Sequence, residues 1–520
     1  MAGAAQSHAV PGFRRNMVTI CAMTATIMQA LDTTIANVAL PYMQGSLSAS
    51  QDQINWVLTS YIVAAAIMTA PVGWIANRFG RKRIFIICSA GFTIASVMCG
   101  LAQDITQMVM FRLLQGVFGA ALVPLSQAVM LDSYALHERA KAMSIWGMGV
   151  MMGPIMGPSL GAWLTETYSW HWVFFVNLPF GAITVLGLAM FMDETDKNQE
   201  LKFDWFGFAA LAVGIGAMQL ALDRGEQLDW FNSPEIIIES IVSVVGFYYF
   251  FAHSFTTERP FIQFAIFKDR NFVGGVVFMT VMGLVLFSTM ALSSPFLQNV
   301  EGYPIMTAGL LLASRGCGTF VAMMIVGRIM RYIEARTLIA TGLSLTCASL
   351  YVMTGWTDQT SVSSVVVTSI IQGFGFGLVF VPLSTVAFMT LPGQLRTDGT
   401  AMLTLVRNVA SSVGISVVIA KLSSGTTTAH SILAEHINPF NNALQMPSVT
   451  GMIDLSTTTG KAMIDAIVTM QAQIIAFSHD YAMVMFLTAA AVPMAIIIGS
   501  TKAALRKQSE APADHTAVME

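Results

Sequence analysis

The sequence predicts an all-α membrane protein of about fourteen transmembrane helices, built as two six-helix bundles with two further helices inserted between them. Three observations carry this. Only 11% of the 520 residues are charged and 55% are hydrophobic, whereas soluble domains carry roughly a quarter charged residues. The apolar residues gather in continuous runs of about 18–25, long enough to cross a bilayer as helices, where a barrel strand would alternate and be roughly ten residues long. The second half of the chain also repeats the pattern of the first.

The elements follow in order. The first span, 17–41, comes after a short tail, Met1–Asn16, that holds Arg14 and Arg15. No signal-peptidase site of the A-x-A type lies at a fitting place, so this run is expected to stay as a true span. It carries Asp32 and Asn37. Span two, 54–76, leads through a tight basic turn with Gly73, Asn77, Arg78, Gly80 and Arg81 into span three, 84–102. Span four, 108–131, contains Arg112 and Gln115. Span five, 142–164, places Gly149, Gly153, Gly157 and Gly161 on one helix face, with Pro154 and Pro158 among them. Span six, 172–192, completes the first bundle, so 17–192 is one domain.

A linker, 193–270, holds two short runs, 204–222, which Asp223 ends, and 235–253; a twelve-helix reading would drop both. The second bundle, 271–501, takes spans 271–296, 305–327 with Arg315, 337–354, 363–390, 400–421 with Arg407, and 480–501. Its polar outer loop, 422–479, contains helix-compatible parts near 428–435 and 461–477, and a tail, 502–520, ends the chain.

Lysine and arginine give the orientation, because loops on the cytoplasmic side carry their excess. With the N-terminus inside, twenty of the 26 fall in cytoplasmic segments, from Arg14 and Arg15 to Lys502, Arg506 and Lys507. Only Arg224 and Lys461 fall outside; Arg112, Arg315, Arg407 and Lys421 lie within or at the end of spans. Both termini are therefore expected in the cytoplasm.

The repeat is specific. Span four has Gln115-Gly116, then small residues, then Pro124-Leu125-Ser126; span twelve has Gln372-Gly373 and Pro382-Leu383-Ser384, an offset of 257–258 residues. Arg139 in the loop after span four matches Arg396 after span twelve. Two bundles related by an axis along the membrane normal describe a secondary transporter with its substrate path between them.

Intramembrane charges are the candidate chemistry. A carboxylate in a span is costly and functional by default, which singles out Asp32. Burial favours its neutral form and a nearby cation its charged form, so a proton and a cationic drug or arginine would compete for it. Arg112 is expected to share its cavity, either as a proton-coupling partner or as half of a structural ion pair. Arg315 and Arg407 in the second bundle are candidates for a gate, for an anionic substrate or for a carboxylate of the first half; Arg315 would alternatively snorkel to the interface. Asp223 reads as a proton site or as a solvated helix end. The glycine run on span five allows close helix approach, its prolines remove backbone donors and bend it, and it would suit a bundle interface that rocks.

These motifs resemble the major facilitator superfamily and, within it, the fourteen-helix drug:proton antiporter family of the EmrB/QacA type. Leu31-Asp32 through Asn37 to Pro41 looks like that family's first-helix motif, and Gly73 to Lys82 like the superfamily loop motif, with Asn77 where Asp is common. Arg112 to Gly119, Gly149 to Gly161 and Trp170-His-Trp172 to Gly181 match its fourth, fifth and sixth helices. Arg407 matches an arginine of its thirteenth helix. Leu222-Asp223-Arg224-Gly225 and Asn438-Pro439-Phe440-Asn441 resemble the EmrB-like branch. The resemblance implies a major facilitator fold and proton-coupled multidrug efflux from a bacterial inner membrane, with no cofactor beyond the proton gradient. It also implies a periplasmic membrane-fusion adaptor and an outer-membrane channel as partners of the outer loop. A dedicated exporter of one metabolite, lipid or siderophore is the other reading.

Several classes are excluded. A net charge of −3 leaves no basic footprint for nucleic acid. No G-x-x-x-x-G-K-[ST] loop is present for ATP. The eight histidines fall in loops, tails or span ends, and the five cysteines have no paired spacing, so neither an enzyme site nor a metal site is expected.

Overall fold

The computed structural model describes residues 12–135, 138–195, 197–198, 202–257, 260, 262, 264–438, 441, 446 and 457–497. Among these the regular structure is entirely helical. The tail before residue 12, Pro439 and Phe440 of the branch motif and everything after residue 497 lie outside the described residues.

The first half comprises α1 (Gly12–Ser46), α2 (Gln51–Thr69), α3 (Val72–Phe79), α4 (Arg81–Gly100), α5 (Ile105–Gly119), α6 (Leu122–Ser133), α7 (Arg139–Thr167), α8 (Trp172–Phe175) and α9 (Asn177–Phe191). The linker pair is α10 (Trp205–Arg224) and α11 (Pro234–Thr256). The second half comprises α12 (Arg270–Pro295), α13 (Ile305–Ile329), α14 (Ala335–Met353), α15 (Val362–Val386), α16 (Arg396–Ala434) and α17 (Thr458–Ala491). Helix starts are fixed by side-chain caps that satisfy free backbone N–H groups. Ser50 and Gln53 form a capping box before α2, Asp104 caps α5, and Asp269 accepts from Asn271 and Phe272 at α12.

Twelve of these helices or collinear pairs are long and apolar enough to cross a bilayer, and α2 with α3, bent by 56°, forms a thirteenth. The bend falls at Pro71, where a proline removes a backbone donor. α7 is the remaining long helix, at 29 residues; its glycines and prolines dilute an otherwise apolar run. Among the described residues, twelve or thirteen segments are thus both long and apolar enough to cross, where about fourteen were expected, and α7 has the length without the hydropathy.

The outer loop is where structure and expectation differ most. α16 continues to Ala434 and α17 starts at Thr458, so most of 422–479 is helix, prolonging spans predicted to stop at 421 and start at 480. A helix that leaves the bilayer keeps its internal hydrogen bonds but no longer needs an apolar sequence, so hydropathy ends the span too early.

The linker pair packs tightly on itself, since a methyl on Gly246 would meet the backbone of Gly214. It also bridges the halves. The Asp223 carboxylate accepts from Thr59 of α2, while Gln219 Nε2 donates to Ser412 Oγ of α16 at 2.9 Å. α11 exposes Ile238, Ile241, Val244, Tyr248 and Phe255, an apolar face suited to lipid.

Candidate functional site

Asp32 has no exposed surface. Its Oδ2 accepts from Arg112 Nη1 at 2.7 Å, and its Oδ1 accepts from Gln115 Nε2 at 2.8 Å and Asn177 Nδ2 at 3.2 Å. Arg112 is held just as fully. Its Nε donates to the Val57 carbonyl at 3.0 Å and its Nη1 to Gln115 Oε1 at 2.9 Å, while its guanidinium lies 4.2 Å from the Tyr61 ring centre. Asn177 is itself oriented, donating to Ser96 Oγ at 2.9 Å. α1, α2, α4, α5 and α9 thus meet at one closed polar knot.

Sequence position explains the knot. Arg112 and Gln115 lie three residues apart on α5, so both reach the same neighbour. A buried ion pair repays its desolvation only when its remaining donors and acceptors are bonded, and here Val57, Gln115, Asn177 and Tyr61 supply those contacts. Asn37 lies beyond the knot on α1 and is exposed.

Two buried or half-buried arginines of the second half, Arg315 and Arg407, have no carboxylate partner among the described residues. Arg315 is buried and donates from Nη2 to Ser293 Oγ at 3.3 Å, an oxygen that also accepts from the Tyr481 hydroxyl at 3.3 Å. It does not snorkel: it sits ten residues into α13, with its polar head facing α12. Arg407 is half-buried and, among the described residues, donates to Asn408 Oδ1 at 3.4 Å. Among the described residues, the Nε of each arginine has no acceptor and neither is in an ion pair. Asp223 is exposed at the end of α10, where its carboxylate accepts from Thr59 of α2.

At the basic end the halves are tied together. Asp132, at the end of α6, accepts from Arg81 of α4 and from Arg396 Nη1 of α16 at 2.6 Å. Asn77 Nδ2 donates to Asp398 Oδ2 of α16 at 3.4 Å, and Arg81 Nη2 donates to the Gly393 carbonyl at 3.4 Å. Gly73 lets Asp398 approach, as a methyl there would collide with it. Gly80 has φ +96°, a conformation that favours glycine, and it turns the chain from α3 into α4. Arg78 is half-buried beside this turn. Asn77 therefore faces a carboxylate contributed by the other half.

The glycine run on α7 faces differently from the expectation. A methyl on Gly149 would meet Met23, on Gly153 the Ala30 backbone, on Gly157 Thr34 and on Gly161 the Ile35 carbonyl, all on α1. Thr34 Oγ1 donates to the Gly153 carbonyl at 3.0 Å. The stripe thus grips α1 within its own half, next to Asp32, because only residues without side chains let two helices come so close. Another face of α7 meets the second half: Trp146 stacks on Phe380, and Ile155 fills the space at Gly316. The helix runs unbroken through Pro154 and Pro158.

Sequence reasoning did not single out Asn177, Asp132, Asp398 or Asp480 as site residues. Asn177 lies in the sixth-helix motif, which was a usable signal. Asp132 and Asp398 sit at span ends beside basic loops, where a charge looks merely solvated.

The sequence matches the family model described as Major Facilitator Superfamily over residues 22–415. It is 34% identical over 450 residues to the multidrug export protein EmrB of Escherichia coli (strain K12), covering 85% of this chain and 87% of that protein. It is 34% identical over 428 residues to the fatty acid resistance protein FarB of Neisseria gonorrhoeae, covering 82% and 84%. Among solved structures, the proton:xylose symporter XylE superposes with a TM-score of 0.58 at 14% identity, over 94% of this chain and 97% of that one, a likeness of fold alone.

Proposed function

The chain belongs to the Major Facilitator Superfamily, and we propose that it is a proton-coupled multidrug exporter working by alternating access. It is a transporter rather than an enzyme, and a multi-pass protein of the bacterial inner membrane. The observation that carries the reading is the Asp32–Arg112 pair, sealed inside the first half. A carboxylate inside a membrane span is costly and marks a functional site by default, and this one is closed off from solvent with a cation against it. Asp32 and Arg112 are assigned to proton coupling, with Gln115 orienting both. Asn37, Arg315 and Arg407 are assigned to the substrate path. Asp132, bridging Arg81 and Arg396, is assigned to a latch on the cytoplasmic side, and both termini to that side. The outer extensions of α16 and α17 are assigned to contact with a periplasmic adaptor leading to an outer-membrane channel.

A second reading, a dedicated exporter of one amphipathic anion, is favoured by the two second-half arginines that lack carboxylates. FarB, by its name, concerns fatty acids. One experiment tests both readings: proton-driven uptake into everted vesicles of a fluorescent hydrophobic cation and of a hydrophobic weak acid, in wild type and Asp32→Asn. Gradient-dependent transport of both probes, lost in the variant, supports multidrug export. Transport of the acid alone supports the second reading, and full transport by Asp32→Asn removes Asp32 from the coupling.

A further inference from the structure

Between the outer parts of α16 and α17 lies a groove of about 600 Å³, large enough for a drug-sized molecule. Its walls include Ile432, Leu433, Ile475, Ala476 and Met483. Asp480 also lines it, with 4% of its surface exposed, and its Oδ2 has no hydrogen-bond partner among the described residues. Lys421 borders the same groove but is itself exposed, leaving that oxygen unbonded. A desolvated carboxylate oxygen without a donor is costly, and a cation held against it would repay that cost. The apolar walls select what kind of cation: one whose charge is carried on a hydrophobic body.

We propose that this groove is a binding site for hydrophobic cations, with Asp480 as the countercharge. It is separate from the Asp32 knot. It borders the second half's own polar cluster, since the adjacent Tyr481 donates to the Ser293 oxygen that Arg315 also reaches. The site stands whether or not the chain exports drugs. Its ligand is either a free cation or the ammonium headgroup of a membrane lipid, which share this chemistry.

The test is equilibrium binding of tetraphenylphosphonium to the full chain in phosphatidylglycerol nanodiscs. Saturable binding is expected, at least tenfold weaker in Asp480→Asn and close to wild type in Asp480→Glu. Ile432→Trp, at a side chain 54% exposed and therefore tolerant of change, should fill the groove and weaken binding by a similar factor with the carboxylate intact. Wild-type affinity in both Asp480→Asn and Ile432→Trp overturns the proposal. Replacing half of the lipid with phosphatidylethanolamine names the source. Competition marks a lipid ammonium and unchanged affinity a free cation, each supporting the site provided the Asp480 dependence holds. Transport without Asp480-dependent binding would sink this inference alone; binding without transport would sink the export reading alone.

Discussion

Gln115 and Gln372 stand 257 residues apart in the two copies of the Gln-Gly…Pro-Leu-Ser repeat, and both are fully buried. Gln115 donates to Asp32 and accepts from Arg112, whereas neither amide atom of Gln372 has a partner among the described residues. The same residue is thus bonded in one half and idle in the other. Losing a buried partner leaves the remaining group unsatisfied at a cost of about 1–3 kcal/mol, while removing an unbonded amide frees a group that was already unsatisfied. Gln115→Leu should therefore lower the thermal unfolding midpoint in detergent, and Gln372→Leu should leave it equal or higher. Equal losses in the two variants would mean that Gln372 is bonded in the folded protein.

The ion pair separates stability from coupling. Arg112→Met leaves the Asp32 carboxylate buried with only neutral donors, and breaking a buried pair in this way costs about 3–5 kcal/mol. Adding Asp32→Asn removes the stranded charge, so the double variant should regain much of that loss. Gradient-driven transport should remain absent in both. A double variant that unfolds as early as Arg112→Met, by thermal scan, would show that the arginine acts through its packing on Tyr61 and not through charge.

Asp132 carries the latch between the halves. Its side chain is 32% exposed, so each of its two ion pairs is worth only about 0.2–1 kcal/mol and weakens with salt. Asp132→Asn removes both pairs, together about 0.4–2 kcal/mol, and should shift the population toward conformers open at the basic end by roughly twofold to thirtyfold. Spin labels replacing Phe79 and Tyr332, both exposed near the ends of α3 and α13, would report the distance. A broader distribution extending to longer distances is expected in the variant, and in wild type at high salt. An unchanged distribution in both would assign the closure to helix packing, such as Trp146 on Phe380.

Architecture was legible wherever one physical rule dominated. Apolar run length located the crossing segments, and the repeat tied Gln115 to Gln372. The cost of a buried charge pointed to Asp32 and Arg112, which the fold joins at 2.7 Å. What stayed hidden depended on contacts between distant segments. Asp398 comes from the second half to face Asn77, and no local pattern announces a carboxylate supplied from 321 residues away. Asp480 was hidden by a boundary: the predicted span starts at 480, whereas the helix starts at Thr458 and Asp480 lies well inside α17. Glycine spacing showed that α7 makes a close approach, but spacing alone does not say to which helix.

That ambiguity yields the last prediction. On Gly153 a methyl group would collide with the Ala30 carbonyl, a backbone atom that moves only with α1. On Gly309, at the start of α13, the nearest atoms would be Pro158 Cβ at 3.7 Å and Ser159 Oγ at 3.8 Å, ordinary contact. Overpacking a close helix contact costs about 1–3 kcal/mol, and Asp32 lies two residues along α1 from Ala30. Gly153→Ala should therefore lower stability by that amount and also displace the carboxylate from Arg112, reducing transport well beyond the loss of folded protein. Gly309→Ala should match wild type in both. The check is thermal stability alongside vesicle transport normalised to folded protein. If Gly153→Ala lost stability yet kept full normalised transport, the α1–α7 contact would serve only to hold the first half together, and the geometry of the ion pair would tolerate a shift of α1.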